Sequence, residues 1–114
     1  MGLVLSGFSK PLRLIRSATL PGTAATLLNR WPCLGWGTLR VWIYSDLAGT
    51  LNFLQKPQRV SASSMTTMRQ TDTSSIAAAS GASIEFLITA DYLGLAWTAS
   101  VAPTVFELEA ALYP

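Results

Sequence analysis

The chain has 114 residues, half of them hydrophobic, with 12% charged side chains and a formal net charge of +2. That length accommodates one ordinary domain. The charged fraction is about half the ~25% usual in soluble domains, and so small a net charge argues against a nucleic-acid partner. There is no histidine and one cysteine, Cys33. An internal disulfide, a His-dependent triad and a His-based metal site are therefore excluded.

The charge is unevenly distributed. Residues 1–45 carry Lys10, Arg13, Arg16, Arg30 and Arg40 with no carboxylate, and Asp46 is the first acidic residue. After Val60, Arg69 stands alone against Asp72, Glu85, Asp91, Glu107 and Glu109. Residues 2–16 can be drawn as a helix with Val4, Phe8, Leu12 and Ile15 in one arc and the basic residues largely elsewhere, bent at Pro11. An acid-free, Arg-bearing amphipathic start followed by Ser17, Thr19 and Thr23 predicts an organellar transit peptide, with the mitochondrion favoured over the plastid. Residues 1–6 also match the M-G-x-x-x-[ST] acylation pattern, one short enough to arise by chance. A secretory signal has less support, because no basic residue precedes the first apolar run.

Pro21 and Gly22 mark a turn. The densest cluster in the chain follows: Arg30, Trp31, Trp36, Arg40, Trp42 and Tyr44. Amphipathic rings beside arginines suit a membrane headgroup layer, a protein interface or a small aromatic core. Gly35 and Gly37 form a lone GxG without the context of a nucleotide loop. Residues 39–44 (LRVWIY) alternate and predict a short strand. Residues 60–83 are rich in Ser, Thr and Ala and predict a low-order linker.

Residues 86–106 hold 21 residues with one ionisable side chain, Asp91. As a helix they would be about 31 Å long, close to the ~30 Å of a bilayer core. Two readings of this region compete. Ile84, Phe86 and Ile88 alternate with polar residues, as do Trp97, Ala99 and Val101, which suits two short strands. The abundance of Ala, Leu and Glu favours a helix over about 83–102, a bend at Pro103 and a second short helix. Glu107 and Glu109 share a face only if they lie on a strand.

The sequence thus predicts a small, mainly α protein. It would comprise a basic Trp/Arg region over 1–59, a linker over 60–83 and an apolar helical region over 84–114. The expected role is a non-catalytic, membrane-associated accessory or structural subunit of a larger assembly in an organelle membrane. If the C-terminal helix spans, the positive-inside rule keeps the basic front on the cytoplasmic or matrix side. A soluble protein-interaction module is the alternative, and an open reading frame product without an evolved role is a third. Protein partners are expected and a membrane is a second candidate. No nucleic acid, small-molecule substrate, cofactor or metal site is indicated. The interface candidates are Trp31, Trp36, Arg40, Trp42, Tyr44, Asp91 and Trp97.

Overall fold

A computed structural model describes residues 9–18, 24–56 and 69–114, and within them the backbone forms eight β-strands. These are β1 (Lys10–Ala18), β2 (Ala24–Pro32), β3 (Thr38–Ser45), β4 (Gly49–Lys56), β5 (Arg69–Ile76), β6 (Ala82–Leu87), β7 (Tyr92–Thr98) and β8 (Phe106–Tyr113). The strands alternate as a half-buried strand must. In β3, Leu39, Val41, Ile43 and Ser45 are buried, while Thr38, Arg40, Trp42 and Tyr44 face the other way. In β8, Phe106, Leu108, Ala110 and Leu112 point inward, and Glu107 and Glu109 are exposed between them.

The strands form two four-stranded antiparallel sheets, ordered β1-β8-β3-β6 and β2-β7-β4-β5. The pairing is nested about the β4–β5 connection: β4 pairs with β5, β3 with β6, β2 with β7 and β1 with β8. The chain is in effect one long hairpin rolled across two sheets, with β3–β8 and β4–β7 contacts closing the roll. This is the jelly-roll arrangement, two Greek keys facing each other.

The core lies between the sheets. One sheet contributes Leu39, Val41, Ile43, Phe86, Phe106, Leu108 and Leu112; the other contributes Leu51, Phe53, Leu93, Leu95 and Trp97. Two aromatic pairs cross the gap. Phe53 stacks on Phe86 with centroids 4.8 Å apart, and Trp97 meets Phe106 edge-on at 5.1 Å. Each such pair adds about 0.5–1.5 kcal/mol beyond area burial.

One polar side chain also bridges the layers. Gln55, on β4, is 4% exposed. Its amide nitrogen donates to Thr71 Oγ1 and to the Leu87 carbonyl, and its oxygen accepts from the Thr89 N–H at 2.8 Å. The amide is fully satisfied, so its burial ties β4 to the β6–β7 corner instead of destabilising the core. At the opposite end Asp46 accepts from the backbone N–H groups of Thr104 and Val105 and from the Thr104 hydroxyl. The hydroxyl bond above all holds the Asp46 carboxyl below the usual carboxylate range.

This architecture replaces the mainly α expectation. Among the described residues there is no helix, and so none long and apolar enough to cross a membrane; strand-built barrels are a separate matter. The 86–106 run is the end of β6, all of β7, two connections and the first residue of β8. It looked helical because β7 is a central strand whose positions between Leu93, Leu95 and Trp97 are the small Gly94 and Ala96, so only Tyr92 and Thr98 at its ends interrupt the apolar run. Local propensity for helix over 83–102 is overridden by cross-strand pairing and burial. Pro103 lies in the β7–β8 connection instead of bending a helix, and the second short helix is β8.

The N-terminal amphipathic helix is likewise not formed where it can be assessed, because residues 10–18 are β1. Residues 1–8, with the acylation pattern, lie outside the described residues. The expected linker contains β5 and the start of β6, and its hydroxyl-rich residues form an edge strand with only Ile76 buried. Residues 60–68 lie outside the described residues. With the span replaced by strands, and the presequence helix replaced by β1 over residues 10–16, the transmembrane, transit-peptide and mitochondrial expectations lose their physical basis.

A side chain has no room at Gly49, where a Cβ would lie 2.2 Å from Trp97 Cζ2 and 2.8 Å from the Thr98 carbonyl oxygen. Gly49→Ala should lower stability by about 1–3 kcal/mol or more through overpacking. Chemical denaturation with the m-value unchanged would measure it; a loss below about 0.5 kcal/mol would show that Trp97 does not occupy this position.

Candidate functional site

The outward positions of β3 are Arg40, Trp42 and Tyr44, and those of the neighbouring β8 include Glu107 and Glu109. Register then sets the rows. Trp42 is opposite Glu109, Glu109 opposite Leu14 of β1, and Trp42 opposite Ser83 of β6. Tyr44 is opposite Glu107. Directly opposed residues stand about 4.5–5.5 Å apart, so each aromatic ring has a carboxylate beside it.

The result is an open groove of about 650 Å³ across all four strands. Leu14, Arg16, Trp42, Tyr44, Glu107 and Glu109 line it, and the small residues 81–83 of the β6 end keep it shallow there. Trp42 is 54% exposed and Leu14 55%. The two exposed apolar side chains stand in one row on either side of Glu109, which makes this face a candidate contact surface. A second depression of about 340 Å³ shares Leu14, Arg16 and Glu109 and continues along β1 past Pro11 and Arg13. The side chain of Glu109 makes no hydrogen bond or ion pair with the described residues, whereas Glu107 is engaged.

Beyond the groove, Arg40 is committed. Its Nε donates to Glu85 Oε2 at 2.8 Å, and its guanidinium lies 4.4 Å from the Tyr113 ring centroid. The pair is solvent-exposed and worth at most about 1 kcal/mol; its effect is to fix the face flanking the groove.

Of the seven residues singled out from sequence, the fold therefore places Arg40, Trp42 and Tyr44 together and scatters the others. Trp97 is a core residue, 1% exposed. Trp31 and Trp36 pack against the core from β2 and the β2–β3 connection. Asp91 sits in the bend before β7, where its carbonyl accepts the Cys33 N–H at 2.8 Å. Leu14 and Glu109, which complete the groove, carried no sequence signal of their own. The shared-face spacing of Glu107 and Glu109 was the one available hint.

Cys33 lies in that same corner and its thiol donates to the Ala90 carbonyl at 3.3 Å. Burial, and secondarily the negative charge of Asp91, push its pKa up from 9.0 to about 11. The thiol is therefore held in its protonated, unreactive form at neutral pH. Among the described residues no three metal-ligating side chains come together.

No family model matches the chain, and no curated protein matches it. Among solved structures, it is similar to the PBSX exported protein XepA, with a TM-score of 0.67 and 18% identity, over 96% of this chain. The match spans 38% of XepA. A weaker likeness is to the disulfide-linked pili of Bacillus endospore appendages, with a TM-score of 0.47 and 13% identity, over 92% of this chain and 85% of that one. The likeness to XepA establishes the shared fold.

The Cys33 environment makes a measurable difference. Because the folded pKa is raised, the native protein should react with a disulfide reagent at pH 8 about a hundredfold more slowly than the unfolded chain. Its stability contribution is complete below pH 9 and is lost as pH rises towards 11. Rapid labelling of the native state at pH 8 would show the corner to be open.

Proposed function

We propose that this chain is a non-catalytic structural subunit that builds an assembly by pairing its sheet edges with other copies. The observation that carries the reading is the asymmetry of those edges. The outer strand β1 holds Pro11, Arg13 and Arg16 and has two register breaks; β2 has two breaks, ends on Pro32 and forces Arg30 to a φ of 52°. Bulges, prolines and charges of this kind are what natural proteins use to prevent edge-to-edge pairing. β5 is covered in hydroxyl and charged side chains.

The remaining edge, β6, lacks the bulges and prolines, and its one charge, Glu85, is tied to Arg40 of the neighbouring β3. It pairs with β3 without a register break, contains neither proline nor lysine, and ends on Leu87, which is 68% exposed. Among the described residues no strand pairs with its other side. A regular edge next to an exposed leucine is a template for strand addition. A non-catalytic role is supported by the missing histidine, the unreactive thiol and an outer-face groove too open to exclude water. The setting of XepA, an exported protein, supports placing such a subunit outside the cell.

Sedimentation velocity from about 1 to 100 μM tests the reading, since self-association follows mass action. The native protein should shift to larger species with concentration. Leu87→Lys should keep it monomeric without lowering Tm by more than ~2 °C, as expected for an exposed position. A wild-type protein that stays monomeric throughout, or a Leu87→Lys variant that assembles equally well, contradicts the proposal.

A further inference from the structure

We infer that the outer-face groove over β1, β8, β3 and β6 is a binding site for a neutral oligosaccharide, a role separate from edge assembly through β6. The argument begins with what the groove combines. Trp42 and Leu14 supply flat apolar surface, and Glu109 stands between them in the same cross-strand row. Tyr44 and Glu107 repeat the aromatic–carboxylate pairing one row on, and Ser83 closes the Trp42 row on β6. Apolar and hydrogen-bonding surface thus alternate at about 5 Å.

That alternation fits few ligands. An apolar peptide or an apolar protein surface laid over Trp42 would bury the Glu109 carboxylate, which has no cation of its own in the described structure, without hydrogen-bonding it; a buried, unpaired charge is costly. A phosphate-bearing polymer would be repelled by Glu107 and Glu109. A simple cation would gain from the carboxylates and the ring face but would meet Arg16 in the same groove. A pyranose ring suits all the groups at once. Its C–H face stacks on the indole, and its ring-edge hydroxyls donate to Glu109, an acceptor-only group, while accepting from Arg16, Tyr44 and Ser83. Because the sugar is neutral, it adds no charge to the groove, and its hydroxyls replace the water that hydrogen-bonds the Glu109 carboxylate.

The groove is also long enough for more than one ring. The depression sharing Leu14, Arg16 and Glu109 extends it along β1. The site is preformed: Trp42, Glu109 and Leu14 are fixed by ladder register on three paired strands, so little ordering is required on binding.

The test is titration of the full-length protein with cellohexaose, xylohexaose and chitohexaose, followed through the indole N–H signals in NMR. At least one hexasaccharide should produce a saturable shift of the Trp42 signal with Kd below about 5 mM, the weak range expected of an open surface site. The buried Trp97 signal should not move. Trp42→Ala should weaken binding by at least about tenfold, and Trp42→Phe, which keeps a ring, by less. Glu109→Gln should weaken it by about three- to tenfold, since an amide accepts less strongly than a carboxylate. Unchanged thermal melts of these exposed-site variants confirm folding. The inference is overturned if none of the three sugars shifts Trp42 at about 10 mM, or if Trp42→Ala binds as well as the native protein. It is equally overturned if Trp42→Ala abolishes self-association, which would make the groove a protein contact.

Discussion

The structure depends on the interlock of large side chains between two sheets that share no strand. Phe53 on Phe86 and Trp97 on Phe106 each join one sheet to the other, and around them Leu39, Val41, Leu51, Leu93, Leu95 and Leu112 are essentially inaccessible. Among the described residues the buried Gln55 amide is the main polar link between the layers. Backbone hydrogen bonds run within each sheet, so the free energy that holds the sheets together comes from apolar burial, at about 25 cal/mol per Å². Gly49 is part of that interlock, because the Trp97 indole takes the space a side chain would fill.

The same constraint produces the outer surface. Once Leu39, Val41 and Ile43 are committed to the core, Arg40, Trp42 and Tyr44 must face outward, and Leu108 and Ala110 commit Glu107 and Glu109 in the same way. Nested pairing then brings Leu14, from the start of the chain, into one row with Glu109 near its end. A slip of one residue between β3 and β8 would send Trp42 inward and dismantle both core and groove. The groove is therefore a by-product of register, with composition supplied by the alternate residues that the core leaves free. Edge strand β6 borders the groove without supplying its aromatic residues.

Part of this was readable from the sequence. Residues 39–44 alternate clearly enough to suggest a strand, and β3 contains them. Alternation at Ile84, Phe86 and Ile88 and at Trp97 also suits strands, but Ala, Leu and Glu content weighed towards helix. Propensity misleads here because β7 and β8 are central strands: Gly94, Ala96, Ala110 and Ala111 are small residues chosen by crowding between neighbours. The near match of 86–106 to a bilayer thickness was coincidental, since the apolar run joins one buried strand, β7, to two connections and the ends of β6 and β8. In the site, Arg40, Trp42 and Tyr44 were identifiable as a cluster. Their pairing with Leu14 and Glu109 was not, because those contacts join distant parts of the chain and depend on the roll. Trp97 could not be separated from the exposed Trp42 by composition alone.

The central claim is the nested roll of two sheets, and backbone NMR tests it most directly. Nuclear Overhauser contacts should connect Ala24–Pro32 to Tyr92–Thr98 and Lys10–Ala18 to Phe106–Tyr113, pairings that only this topology makes. The registers Trp42 with Glu109 and Phe53 with Leu95 should appear as cross-strand contacts. A continuous series of i to i+3 contacts through residues 83–102, with no cross-strand contacts to β2 or β4, would contradict the account.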